Sequence, residues 1–423
     1  MALSKEDNDL ITCVDNDAPL GRMLRQHYWI PVVPSSALEA GGAPLRVQLL
    51  GSDFVAFRTG NGTAGVVDEM CPHRGASMAL AMNEEDGLRC IFHGWKFDAR
   101  GVLVEAPNHG GDEAKFCKSI RTSRYRVREA GGIVFAWFGT GDEEPVFPDF
   151  PMMRLPESQR FVTSQLVPTN WLQGVEATMD TTHAGALHQS SVALVSSGNE
   201  RANLARSSKP RFDFEERPYG FRYAAVRTMP DGKQYARVNN FVMPWFGMIT
   251  APERNGPSTL FFSVPVNDTT HRAWFAHFNL HGPLGVTQFT VSPDVLNFPP
   301  LPPGGPHDNW GQNRAVMKRG YFSGFPQHFA TEDFAIFLSQ GPRLDRSKEQ
   351  LCSSDMALVR VRSQILKSVR EFMAGQSPTL ARNPDLRYED IVSFGGLFDA
   401  DKTWHSLLED RNLFGLADPR AAT

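Results

Sequence analysis

At 423 residues the chain is long enough for two or three domains and a large apolar core. Hydrophobic residues at 41% and charged residues at 21% are the proportions of an ordinary soluble globular protein. The net charge of −4 argues against nucleic acid or an anionic membrane as the main partner, and no uncharged apolar run of about 18 residues offers a membrane span.

The first residues, MALSKEDNDL, are polar and acid-bearing, unlike a secretory signal or a transit peptide. Residues 20–26 read as a short helix leading into Tyr28-Trp29-Ile30-Pro31. From Leu45 to about Phe138, short apolar runs alternate with Gly and Asn/Asp turns, as in Arg46-Val-Gln-Leu-Leu and Gly132-Ile-Val-Phe-Ala-Trp-Phe. That spacing predicts a compact all-β domain. The acidic, Pro-rich stretch from Asp142 to Pro156 then reads as a linker, placing one domain at 1–150 and a second at 151–423.

Inside the first domain stand Cys71-Pro72-His73 and Cys90-Ile91-Phe92-His93. Two Cys and two His in mixed pairs are the ligand set of a Rieske [2Fe–2S] centre, in which one iron takes two Cys and the other two His. Imidazole ligands raise the potential of such a cluster above that of an all-Cys one. A structural zinc site also accepts Cys2His2, but zinc fingers usually keep their Cys together and their His together. Gly75 and Gly94 follow the two pairs and suit tight loops. The other thiols, Cys13, Cys117 and Cys352, are scattered and read as small buried hydrophobes; an odd count without a framework fits a reducing compartment.

In the second part, residues 170–188 are helical in pattern and carry Glu176, Asp180, His183 and His188. On a regular helix two His five apart diverge by roughly 140°. They can share one metal only if the helix ends or distorts between them, and Ala184-Gly185-Ala186 is the expected place. Strands are expected near residues 212–264 and 272–281, and a Pro/Gly-rich loop over 298–307. Two His and one carboxylate would make the facial triad of non-haem Fe(II) oxygenases. The acid is one of the pair Glu332 and Asp333, which opens an apolar helical segment; spacing does not choose between them. A last helix begins near Ser354 as cap, buries Leu358, Ile365, Leu366, Val369, Phe372 and Met373, and stops at Gly375. Strands with helices set to one side indicate an α+β domain.

Nearly the whole chain resembles the terminal oxygenase component of Rieske non-haem iron aromatic-ring-hydroxylating oxygenases, in the phthalate dioxygenase and vanillate demethylase branch. The resemblance runs through the Pro19-Leu-Gly-Arg-Met-Leu-Arg and Tyr28-Trp29-Ile-Pro segments, CPHRGASM, CIFHGWKFD, NWLQGVEATMDTTHAGALH and TEDFAIFLSQGPRLDRSKEQL. It implies an α+β chain with an N-terminal all-β Rieske domain and a C-terminal helix-grip catalytic domain, a curved antiparallel sheet around a long helix. It implies that Cys71, His73, Cys90 and His93 hold a [2Fe–2S] cluster, and that His183, His188 and Asp333 hold mononuclear Fe(II). Asp180 would bridge His183 to His93 of the next protomer in a homotrimer.

The implied reaction uses O2 and electrons from a separate NAD(P)H-dependent flavin/iron-sulfur reductase, since the chain has no G-x-G-x-x-G motif in a strand–helix context. It would hydroxylate, dihydroxylate or O-demethylate an aromatic carboxylate in the cytoplasm, with neither nucleic acid nor membrane as partner. An anionic substrate calls for an Arg fork, for which Arg211, Arg222 and Arg237 are candidates; Phe241, Trp245 and Phe246 are candidates for a ring slot. A Rieske-type electron carrier and a structural zinc protein are the other readings. Neither would account for His183, His188 and Asp333.

Overall fold

The computed structural model describes residues 3–191, 209–249, 256–287, 290, 292–378, 381, 383 and 385–409. The chain opens with two short helices, α1 (Lys5–Thr12) and α2 (Pro19–His27). Ser4 caps α1 by accepting from Asp7 N at 3.0 Å, and Pro19 starts α2 where its missing N–H costs nothing. Helix α2 is where its sequence predicts one, whereas α1 is unannounced, because KEDNDLIT carries too few apolar residues to show a period.

Three small antiparallel sheets follow. They join β1 (Ile30–Pro34) to β9 (Arg126–Ala130) and β10 (Ile133–Trp137); β2 (Leu45–Leu49), β3 (Ser52–Arg58) and β4 (Ala64–Asp68); and β5 (Met82–Asn83), β6 (Gly87–Arg89), β7 (Lys96–Asp98) and β8 (Leu103–Glu105). The expected all-β region holds one helix as well, α3 (Glu113–Ser119), capped by Asp112. Its seven residues are too short and too polar to declare themselves.

Beyond the linker an eight-stranded antiparallel sheet forms from β11 (Arg160–Val167), β12 (Arg211–Arg217), β13 (Gly220–Thr228), β14 (Gln234–Val242), β15 (Phe246–Ile249), β16 (Ser258–Asn267), β17 (Thr270–Phe278) and β18 (Phe394–Phe398). The order is β11-β17-β16-β15-β14-β13-β12, with β18 paired to β14. Residues alternate between its two faces. Phe261 and Phe275 point towards the helices that carry the site, whereas Phe246, Phe262 and Trp274 fill the other side, where Phe246 meets Phe150 at 5.1 Å.

Among the described residues the second part also has the helices α4 (Trp171–Met179), α5 (Arg314–Lys318), α6 (Phe329–Ser339) and α7 (Met356–Met373). Helix α4 is buried nearly all round, with Trp171, Leu172, Val175 and Met179 at most 1% exposed. Burial of each such side chain contributes about 1.5–3 kcal/mol. Asn170 caps α4 through Leu172 N and donates from its amide to Thr12 O (2.9 Å) and Asp268 O (2.8 Å). The N-terminal helix and the sheet are thereby tied to the start of α4.

Helix α7 buries Ile365, Leu366 and Val369 as expected, with Val361 beside them, but Leu358 and Phe372 are only half-buried and Met373 is exposed at the helix end, where Gly375 at φ +75° stops it. Ser354 does not cap it; its hydroxyl lies 3.0 Å from Cys352 Sγ, while Asp355 takes Cys352 N at 2.6 Å. Cys352 is exposed, contrary to the expectation of burial, and Cys117 is buried. Among the described residues no helix is long and apolar enough to cross a membrane.

Candidate metal centres

The two Cys/His pairs sit on loops of matching geometry. Cys71 N donates to Ala76 O and Cys71 O accepts from Gly75 N; Cys90 N donates to Trp95 O and Cys90 O accepts from Gly94 N, all at 2.8–3.0 Å. Gly75 and Gly94 take φ of +72° and +77°, the left-handed turn that L side chains resist. A Cβ at Gly94 would also lie 2.9 Å from Pro107 Cγ. The loops face each other, bringing the His73 and His93 rings to a 4.4 Å centroid distance. Both thiols are buried, and burial, followed by the neighbouring Cys90, lifts Cys71 to about 11 against a lowering pull from the His73 backbone. Two crowded, buried thiols and two adjacent imidazoles fit an iron–sulfur cluster bound through thiolates.

The second centre is built by a broken helix. The expected helix over residues 170–188 ends at Met179, earlier than the Ala184-Gly185-Ala186 break anticipated. Asp180 causes this: its Oδ1 accepts from Thr182 N at 2.7 Å and Thr182 Oγ1 at 2.6 Å, an Asx-turn that replaces the next helical turn. A short 3-10 turn at His183–Gly185 follows. The reversal brings His183 Nε2 within 3.2 Å of His188 Nε2. From α6, Asp333 Oδ1 lies 3.1 Å from His188 Nε2 and 3.5 Å from His183 Nε2.

These separations match adjacent ligands of one divalent ion, whose donors at about 2.1 Å stand roughly 3 Å apart. The far nitrogens are fixed. His183 Nδ1 lies 2.6 Å from Asp180 O, and His188 Nδ1 lies 2.6 Å from Glu332 Oε2. Glu332 also accepts from Ser191 Oγ (2.8 Å) and Ser323 Oγ (2.5 Å), and the Phe329 ring stacks on His188 at 3.8 Å. The open choice between the two acids thus has a geometric answer: Asp333 joins the two His, and Glu332 stands behind one of them. Burial alone would lower His188, but Asp333 and then Glu332 outweigh it and raise it to about 9. Burial, then His188, lowers His183. A metal ion would take the place of the shared protons.

A Rieske [2Fe–2S] domain model matches residues 28–121, and a model described as LigXa C-terminal domain like matches residues 136–413. The chain is 34% identical to the phthalate 4,5-dioxygenase oxygenase subunit of Pseudomonas putida, over 99% of this chain and 98% of that one. It is likewise 34% identical to the 3-chlorobenzoate-3,4-dioxygenase oxygenase subunit of Comamonas testosteroni, over 97% and 99%. The chain belongs to the Rieske non-haem iron oxygenases.

As a terminal oxygenase component of that family it is an enzyme that uses a Rieske [2Fe–2S] cluster and a mononuclear iron. The fold agrees. Dicamba monooxygenase bound to dicamba superposes with a TM-score of 0.58 at 17% identity, covering 83% of this chain and 99% of the other. The zinc-protein and simple electron-carrier readings are set aside by the second, oxygenase-type domain.

Within this Rieske oxygenase the three candidate substrate arginines part company. Arg211 and Arg222 pair with Val226 and Asn240, on the sheet face opposite to Arg237. Arg211 is exposed, and Arg222 is held by Glu215 at 2.5 Å and over Trp404. Neither lines the site. Arg237 does approach it, donating to Thr181 Oγ1 at 3.4 Å beside the Asp180 turn.

Arg227 was missed by sequence reasoning. It lies diagonally across from Arg237 on the same face, and burial, then Arg237, pushes it down to about 10. No sequence signal marks it, because the face it shares with Arg237 is set by the β13–β14 register. Phe241, Trp245 and Phe246 are packed into the core. Glu176 points away from the iron site: it is buried against Arg346 (2.7 Å) and Arg362 (2.6 Å).

Proposed function

We propose that Cys71, His73, Cys90 and His93 hold the cluster within residues 1–150, and that His183, His188 and Asp333 hold iron within residues 151–423. The observation that carries this is the meeting of His183 Nε2, His188 Nε2 and Asp333 Oδ1 within 3.1–3.5 Å at the break after α4. Bound there, iron supplies reductive activation of O2 with electrons from the cluster. The residues of this chain do the positioning. Asp180 O and Glu332 set the two imidazoles, and the Phe329 ring keeps His188 in plane.

The substrate class is an aromatic carboxylate. Arg237 reaches the iron turn at Thr181 and has no carboxylate partner among the described residues, so its guanidinium calls for an anion there. The relatives named for phthalate and 3-chlorobenzoate favour the same class. The reaction proposed is hydroxylation, dihydroxylation or O-demethylation of that ring, by a homotrimer in the cytoplasm that draws electrons from an NAD(P)H-dependent flavin/iron-sulfur reductase.

The test is product analysis with a panel of benzoates and phthalates, using purified chain, NADH and a surrogate flavin/iron-sulfur reductase. Oxygenated or demethylated products that vanish in the His183→Ala variant are expected. Undiminished turnover in that variant would overturn the iron assignment.

A further inference from the structure

The two imidazoles at the cluster loops have different aromatic neighbours. His93 contacts Phe92 at a 3.9 Å centroid distance, and Phe92 and Ile91 stand 53% and 66% exposed at an apolar tip. His73 packs on a different ring. The Trp95 ring stacks on it at 4.5 Å with 9° between planes, Phe116 of α3 meets Trp95 edge-on at 5.5 Å, and the exposed His109 stacks on Phe116 at 4.1 Å with 9° between planes. Trp95 is fixed in this row by its indole N–H, which donates to Asn108 Oδ1 at 2.8 Å. A continuous file of rings therefore runs from a cluster ligand to the surface.

The file emerges in a cationic patch. Lys115, Lys118, Arg121 and Arg124 are exposed, and none makes an ion pair among the described residues. The acids nearby are engaged in local structure: Asp112 accepts from Lys115 N, Glu113 accepts from Ala106 N at 2.6 Å, and Glu105 pairs with Arg89 at 2.8 Å. Four unpaired cations within residues 115–124, on and just after α3, contribute little to fold stability. Such a patch steers and orients an acidic protein.

We propose that this α3 face is the docking site of an acidic electron-carrier protein, and that the electron enters through His109, Phe116 and Trp95 to His73. The step moves one electron: the donor is oxidised by one, the cluster is reduced by one, and no bond forms or breaks. Entry at His73 and departure from the His93 side keep the donor clear of the apolar tip. The inference rests on the cluster assignment above.

The experiment uses the holoenzyme and a chemically reduced acidic plant-type [2Fe–2S] ferredoxin as probe. Cluster reduction is followed by stopped-flow absorbance, and complex formation by calorimetry at several salt concentrations. Lys118→Glu with Arg121→Glu is expected to weaken binding on the order of 10-fold and flatten its salt dependence. The visible spectrum and the rate of reduction by dithionite should stay unchanged. Phe116→Leu, which keeps the charge and most of the volume, is expected to leave affinity within about two-fold while slowing reduction at saturating ferredoxin on the order of 10-fold. Unchanged affinity in the charge reversal overturns the docking face, and a wild-type reduction rate in Phe116→Leu overturns the route. A protein with no Rieske absorption at all would instead refute the cluster assignment, so the two failures read out separately.

Discussion

His188 Nδ1 lies 2.6 Å from Glu332 Oε2, and the Glu332 side chain is fully buried. A carboxylate behind a ligating imidazole fixes its tautomer and raises its basicity, leaving Nε2 as the metal-facing atom. Ser191 and Ser323 hold the two oxygens in place, so the orientation is set before any ion arrives. Glu332→Gln should weaken Fe(II) affinity by about 10–100-fold while leaving the Rieske spectrum intact. Asp333→Ala, which removes a converging oxygen, should lose iron outright. Iron titration of the metal-depleted protein separates the two, and equal losses would contradict the distinct roles given to the two acids.

Glu176 couples pH to stability. Burial alone would raise it, but Arg346 and Arg362 outweigh burial and hold it below the usual carboxylate range. A carboxylate with a depressed folded-state pKa contributes stability that is fully present above its unfolded value and is lost as pH falls through the folded one. The wild-type melting temperature should therefore drop as pH falls below the ordinary Glu range near 4.3. Glu176→Ala at pH 7 should cost about 3–5 kcal/mol, because the buried Arg346 then loses its carboxylate and Arg362 keeps only Glu349. Thermal melts of both proteins from pH 7 down to about 2.5 check this: the variant should start lower and show a shallower acid dependence.

How legible this was in the sequence depends on how local each feature is. The cluster loops were readable because each pair, Cys71 with His73 and Cys90 with His93, is closed by one tight turn ending in a Gly. The iron site was half readable. Asp180 followed by Thr182 is an Asx-turn signal that places the helix end correctly, yet the amphipathic pattern of residues 170–188 overrode it. The choice of Asp333 over Glu332 depends on how α6 lies against α4, a tertiary relation that no spacing encodes. Arg211 and Arg222 were misplaced for a simpler reason. Strand parity puts Arg222 opposite to Arg227 and Arg237, and parity needs the exact register that only the β13–β14 pairing supplies. The short polar helices α1 and α3 have too few residues for periodicity to outweigh turn-like composition.

Arg237 carries the substrate prediction. A charge-assisted hydrogen bond contributes about 1.5–3 kcal/mol, so Arg237→Gln should raise KM for a benzoate or phthalate by roughly 10–100-fold. Turnover of a neutral analogue, such as the corresponding methyl ester, should change little, because that molecule never used the guanidinium. Parallel kinetics on acid and ester decide the matter. An equal rise in KM for both would place Arg237 in a structural role and move the anion site elsewhere.

Asp180 has two jobs that one substitution can separate. Its Oδ1 makes the Asx-turn that places His183, and its main-chain oxygen takes His183 Nδ1 at 2.6 Å; the other carboxylate oxygen lies 3.9 Å from that nitrogen. Asp180→Asn keeps an acceptor for Thr182 and the same backbone, so the turn and both metal centres should survive. What it removes is the negative charge beside His183, which the proposed homotrimer would use to meet His93 of the neighbouring subunit. Iron and cluster contents near wild type, with turnover reduced about 100-fold, are the expected result. Single-turnover transfer from a pre-reduced cluster should slow by the same factor, placing the defect after cluster reduction. If turnover persists with both centres loaded, the bridge is wrong, and Asp180 serves only to end α4 and aim His183.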